Sequence, residues 1–318
     1  MRRPIVFAAL LFGFALTSSP ARGVLIDTTS LLVLGPGSNT VTQLNFSGAV
    51  IGSLSLPINI DPVRDTILAF PGGFLVNGFG DFGGALGDRT WEFDLSGNLK
   101  SITGYPTSAF TLGLTGQLLG LSGSYPPGGG VSVQRYAFGD GLLEQIPTQI
   151  QADYQLDYVR FSEATGRVYV SGKHSGQDGI WGIDETGAVQ QPFAGLYRSF
   201  ELEDGLLYLL SYDYPGWAER LDIFDEAGSL VQQFPVSVSY DNRYDLVKPG
   251  PLDDLWISGR YDNQTGIWHF DSDGNMIPGG STSYGRFDVL YEVPEPSTAL
   301  LVAAGLAGLA AAGRRRPL

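Results

Sequence analysis

An all-β fold is the class this sequence predicts, and three observations predict it. Glycine and proline, which punctuate turns, account for 44 and 19 of the 318 residues. Phenylalanine and tyrosine, at 18 and 15, suit a pleated, half-buried surface. A short turn of the form Asx-x-x-Gly recurs along the chain, each time between alternating apolar runs. A hydrophobic content of 43% is enough for a sizeable core, and all-β chains of this length commonly form one domain.

Residues 1–23 read as a secretory signal peptide. Arg2 and Arg3 give the positive start, and Ile5 to Leu16 give an apolar run of twelve. Thr17 to Gly23 is polar and small, with Ala21 at the −3 position for cleavage after Gly23. A permanent membrane helix wants about 20 apolar residues, so removal by signal peptidase is the expectation.

The repeat comes next. Its turns are Asn45–Gly48, Asp94–Gly97, a weaker Phe138–Gly141, Asp184–Gly187, Asp225–Gly228 and Asp271–Gly274. The closing glycines are 49, 44, 46, 41 and 46 residues apart, the period of a four-stranded propeller blade. Asp or Asn entering a tight hairpin accepts hydrogen bonds from backbone two residues on, and Gly supplies the positive φ that closes it. Trp91, Trp181 and Trp268 stand three residues before the Asp in three copies, a position for packing between blades.

The fourth copy shows the unit. Residues 154–162 form an inner strand, followed by strands at 167–171, 179–184 and 188–193; the fifth repeats this at 198–202, 206–211, 220–225 and 229–234. The first copy begins with its second strand at 31–34 and lacks an inner one, while a leftover strand, 286–293, follows the sixth. Mixing the chain ends in one blade satisfies both facts and removes exposed sheet edges. The expectation is a six-bladed β-propeller over residues 24–293, with N- and C-terminal strands closing one blade.

Inner strands line a propeller's channel. Arg198, Arg243 and Arg286 open three of them at intervals of 45 and 43, and Arg64 is placed comparably in another. These four arginines are the candidate binding residues, an arginine rim for an anionic ligand such as an acidic sugar. The competing account is pairing between blades, because Asp65, Glu201, Asp245 and Asp288 follow them closely.

Signals for catalysis are sparse. The two histidines, His174 and His269, fall in different copies without a second His at metal-ligand spacing. His269, between Trp268 and Phe270, is expected as an outward strand residue. Asp271 to Gly274 begins like a calcium loop but lacks the later ligands, and it aligns with the other turns. There is no cysteine, which excludes disulfides, zinc–thiolate sites, iron–sulfur clusters and thiol nucleophiles. No catalytic residue, metal site or cofactor is assigned. A propeller hydrolase or polysaccharide lyase with a channel metal is the alternative to a non-enzymatic binding body. It would need Asp157, Asn242, Asp245 and Asp288 to converge.

Between Asp27 and Glu295 the chain has 33 acidic against 13 basic residues. That surplus repels phosphate backbones and anionic headgroups, so nucleic acid is not an expected partner and the membrane is met only through the C-terminus.

The last segment, 294–318, has three parts. Pro294-Glu295-Pro296 interrupts regular structure, Ala299 to Gly313 is apolar throughout, and Arg314, Arg315 and Arg316 close it. The arginines favour retention on the cytoplasmic side, leaving the body outside. This tail resembles the PEP-CTERM sorting signal of Gram-negative bacteria, in which a Pro-Glu-Pro motif precedes a short transmembrane helix and a basic cluster. The resemblance covers about the last 26 residues and implies export, then recognition and processing by a membrane exosortase. Many proteins with such tails belong to bacteria that build exopolysaccharide-rich matrices, but the tail implies nothing about what the body does; for the body itself, an exopolysaccharide or a surface protein is the partner considered.

Overall fold

In a computed structural model, the chain is described at residues 25, 29–35, 39–58, 66–70, 72–82, 85–103, 109–113, 117–123, 129–137, 141–151, 158–195, 197–213, 218–239, 246–251, 254–282 and 286–290. These residues are all-β and propeller-like, and no helix occurs among them. The signal-peptide and anchor-helix segments lie outside them. Among the described residues no helix is long and apolar enough to cross a membrane.

The strands run in antiparallel meanders of four. β1 (Ser30–Leu34), β2 (Thr40–Leu44) and β3 (Val50–Ser55) share a sheet with the last strand, β24 (Phe287–Leu290), in the order β24-β1-β2-β3. β4 (Thr66–Phe70), β5 (Gly73–Phe82), β6 (Ala85–Asp94) and β7 (Leu99–Thr103) form a second sheet. A third joins β8 (Ala109–Leu112), β9 (Leu118–Gly123), β10 (Gly130–Ala137) and β11 (Gly141–Gln151) to β12 (Val159–Phe161), β13 (Val168–His174), β14 (Gln177–Ile183) and β15 (Val189–Ala194). The fourth joins β16 (Tyr197–Glu203), β17 (Leu206–Asp213), β18 (Ala218–Asp225) and β19 (Leu230–Ser239) to β20 (Val247–Pro249), β21 (Leu255–Tyr261), β22 (Gln264–Phe270) and β23 (Met276–Thr282).

The expected meeting of the chain ends is present. Leu31, Leu32 and Val33 pair with Val289, Asp288 and Phe287. In each long sheet, two meanders are stitched by a single residue pair, Gln151 with Lys173 and Ser239 with Arg260.

The recurring turn does two jobs. Oδ1 of Asp94, Asp184 and Asp271 each accepts from the backbone N–H two and four residues on, at 2.8–3.1 Å, and Asn45 does the same. The glycine then has to be glycine for a second reason. A Cβ at Gly97, Gly187 or Gly274 would fall 2.7 Å from Leu54, 2.0 Å from the Pro147 carbonyl or 2.3 Å from Phe234. Each turn therefore presses onto the outer strand of the meander before it.

The core is correspondingly divided into layers between neighbouring meanders. Leu34, Leu54, Phe74 and Trp91 fill one, Val133, Ile146, Val170 and Trp181 another, and Leu221, Phe234, Ile257 and Trp268 a third. All three tryptophans are buried, as packing between units requires. A polar latch spans another boundary: Glu226, 8% exposed, accepts from Ser162 Oγ at 2.7 Å and Thr165 Oγ1 at 2.6 Å.

Candidate functional site

The first strands of the meanders are in register with one another through the sheet. Val159, Phe200, Val247 and Phe287 pair with Val170, Leu209, Ile257 and Val33. Those pair in turn with Trp181, Asp222, Trp268 and Thr42, each three residues before its turn Asx. The next residue on each first strand is therefore structurally equivalent: Arg160, Glu201, Lys248 and Asp288. One position thus carries alternating positive and negative charge in four successive meanders.

These four side chains meet. Arg160 Nε donates to Glu201 Oε1, Lys248 Nζ contacts Glu201 Oε2, and Lys248 Nζ lies 2.6 Å from Asp288 Oδ1. Asp288 Oδ2 accepts from the Ala69 N–H of β4 at 2.7 Å. All four side chains are 8–11% exposed. Burial alone would raise the Glu201 carboxyl, but the neighbouring Arg160 and Lys248 charges outweigh it and hold it at about 2. Burial likewise acts to lower Lys248 and Arg160. Asp288 and Glu201 overcome it for Lys248, as Glu201 does for Arg160, and both end above their ordinary values. In a low-dielectric interior such a chain is stable only because every member is paired.

Two residues earlier the pattern breaks. Arg286, two residues before Asp288, is 1% exposed. Its Nη1 donates to the Tyr158 hydroxyl at 3.2 Å, while Nε and Nη2 have no hydrogen-bond partner among the described residues. Among the described residues, three buried cations therefore meet two carboxylates: Glu201 is shared by Arg160 and Lys248, Asp288 is held by Lys248, and neither is paired with the Arg286 guanidinium.

The residues expected from the sequence are distributed as follows. Arg286 precedes β24 and reaches Tyr158. Arg198 is on β16, and only its backbone is described. Arg64, Arg243, Asp65 and Asp245 lie outside the described residues, as do Asp157, Asn242, Pro294, Glu295, Pro296, Arg314, Arg315 and Arg316. Glu201 and Asp288 do pair across meanders, but with Arg160 and Lys248, which the sequence reading passed over. The signal was available: Arg160 and Glu201 both stand 24 residues before a turn Asp, and Lys248 stands 23 before one.

His269 is a correction. It is 7% exposed, stacks on Trp256 at 4.2 Å and 7°, and shares a 2.5 Å hydrogen bond with Asp254 through Nε2. Alternation does place it opposite Trp268 and Phe270, but a sheet covered on both faces has no outward side at that position. No group of three His, Cys, Asp or Glu side chains is arranged to hold a metal among the described residues.

Comparison with known proteins bears on the tail and the fold. Residues 292–316 match the model of the PEP-CTERM protein-sorting motif. The chain carries a PEP-CTERM sorting signal. That signal implies export, exosortase processing and a membrane-anchored sorting segment at the C-terminus. No curated protein matches the chain. Among solved structures, a Bacteroides caccae protein of unknown function aligns at 12% identity and a TM-score of 0.58, over 82% of this chain and 98% of its own. A functionally unknown Desulfotomaculum acetoxidans protein aligns at 13% and 0.52, over 84% and 100%. TolB from Acinetobacter baumannii, a propeller-like protein, aligns at 12% and 0.55, over 83% and 65%. At these identities the likeness concerns the fold alone, and the PEP-CTERM body is accordingly described as propeller-like.

Proposed function

We propose that this is an exported, exosortase-sorted surface or extracellular-matrix protein whose body binds rather than catalyses, with Arg286 receiving the carboxylate of an acidic glycan. In this reading residues 1–23 are a signal peptide and residues 24–293 a six-bladed β-propeller. Residues 294–318 are a sorting tail with a short membrane helix between Pro294-Glu295-Pro296 and Arg314 to Arg316. Six blades are supported by the six meanders and by the contacts of their first strands, β24 with β4, β4 with β8, β8 with β12, β12 with β16 and β16 with β20. The Lys248–Asp288 pair links β20 to β24. A binding role is supported by the channel chemistry: Glu201 and Asp288 are engaged by cations and so are poorly suited to proton transfer or metal ligation.

The observation that carries the ligand class is Arg286, whose Nε and Nη2 have no acceptor among the described residues. A buried charge without a partner is costly, and a guanidinium presents two parallel N–H groups that fit a carboxylate. The test is binding of trigalacturonic acid against galactotriose to the full-length protein in detergent. Arg286→Gln is expected to weaken trigalacturonate binding tenfold or more. It should also raise the melting temperature of the unliganded protein, because an unmatched buried charge is gone. Unchanged affinity, equal binding of the neutral sugar, or a lower unliganded melting temperature would contradict the proposal.

A further inference from the structure

Away from the channel, a cavity of about 330 Å³ opens between the β16–β19 and β20–β23 meanders. Glu203, Asp204, Tyr208, Pro249, Gly250 and Asp254 contribute to its lining. No Lys, Arg or His lines it among the described residues, so its described charges are all negative.

One of those carboxylates is built in rather than merely present. Asp254 is 7% exposed. Its Oδ2 is tied to His269 at 2.5 Å, and His269 is clamped flat against Trp256, so the carboxylate cannot rotate freely. Its Oδ1 is buried with no hydrogen-bond partner among the described residues. That oxygen is turned toward Gly250, where a Cβ would fall 1.9 Å away, so only glycine leaves room for it. Gly250 and Asp254 both line the cavity. A carboxylate oxygen held in place, out of water and without a donor, is an acceptor waiting for one.

We propose that this cavity binds a primary ammonium group, with Asp254 as its counter-ion. An ammonium offers three N–H donors and a full positive charge. It can satisfy Asp254 Oδ1 while Glu203 and Asp204, which also line the cavity, add negative charge and Tyr208 adds an aromatic ring that favours a cation. The site is independent of the Arg286 reading: different meanders, opposite ligand charge.

Titration of the full-length protein in detergent with glucosamine, N-acetylglucosamine and lysine amide tests it. Saturable binding of glucosamine, lysine amide or both is expected, with N-acetylglucosamine, which lacks the charge, at least tenfold weaker. Glucosamine alone would point to an amino sugar and lysine amide alone to a protein side chain, and either supports the ammonium site. Asp254→Asn, nearly isosteric, is expected to weaken binding tenfold or more, while Asp271→Asn in an exposed turn leaves it unchanged. Failure of both ammonium ligands to bind, equal binding of the acetylated sugar, or full affinity in Asp254→Asn overturns the proposal. Should Asp254→Asn not fold, the comparison of charged with acetylated sugar on the unaltered protein decides it.

Discussion

Glu201 is the residue on which the buried charge chain turns, since it alone among the described residues is shared between Arg160 and Lys248. Its carboxyl is held at about 2, below the ordinary 4.5, so the native state favours the ionised form more than the unfolded chain does. The stability this contributes is present in full above about pH 4.5 and lost as pH falls from there towards 2. Glu201→Gln should therefore cost about 3–5 kcal/mol at pH 7, because two buried cations lose a partner. It should also flatten the acid-side decline of the urea midpoint between pH 4.5 and 2. A midpoint and pH profile equal to the parent protein's would mean the chain is not a stabilising network. The acids of this network were legible in the sequence, because Glu201 and Asp288 fall in the inner strands. Their partners were not. The arginines that open those strands attracted the pairing, whereas the contact depends on which residues share a register across separate meanders.

At the scale of the element, two kinds of glycine behave differently. The turn glycines are announced by local chemistry, an Asx side chain and a positive φ three residues apart, so their pattern can be read along the chain. Gly172 and Gly259 carry no such signal. Each has positive φ within a second strand, and each receives the neighbouring meander's outer strand against its Cα. A Cβ at Gly172 would lie 2.6 Å from Ile150 and 2.7 Å from the Gln151 carbonyl, beside the single pair that stitches β11 to β13. The Gly172 and Gly259 carbonyls also accept the indole N–H of Trp181 at 2.9 Å and Trp268 at 3.1 Å. Gly172→Ala is thus expected to cost about 1–3 kcal/mol through crowding and backbone strain. Urea unfolding should show a lower midpoint at unchanged slope. An alanine tolerated without loss would show that the junction adjusts easily. His269 illustrates the same limit from the other side, since alternation gives its direction correctly but cannot say that another meander covers that face.

For the whole molecule, the inner strand missing from the first copy and the strand left over after the sixth were enough to anticipate that the two chain ends share a sheet. What they did not convey is how much depends on that pairing. β24 covers the edge of β1, packs Phe287 and Val289 against Leu31, Val33 and Trp256, and brings Asp288 to Lys248 and the Ala69 N–H. A chain ending at Gly285 would lose all three at once: an unpaired inner edge, an opened apolar layer, and a buried lysine with half its counter-charge. Such a truncation is expected to abolish the single cooperative melting transition and to aggregate. Moving residues 286–293 ahead of residue 24 puts the strand back beside β1 without any chain link to β23, and should restore a cooperative transition at a reduced melting temperature. A truncated chain that melts like the parent would show that β24 merely decorates the sheet. Failure of the rearranged chain to fold, with the truncation equally unfolded, would show that covalent continuity from β23, rather than the pairing of the two ends, holds the body together.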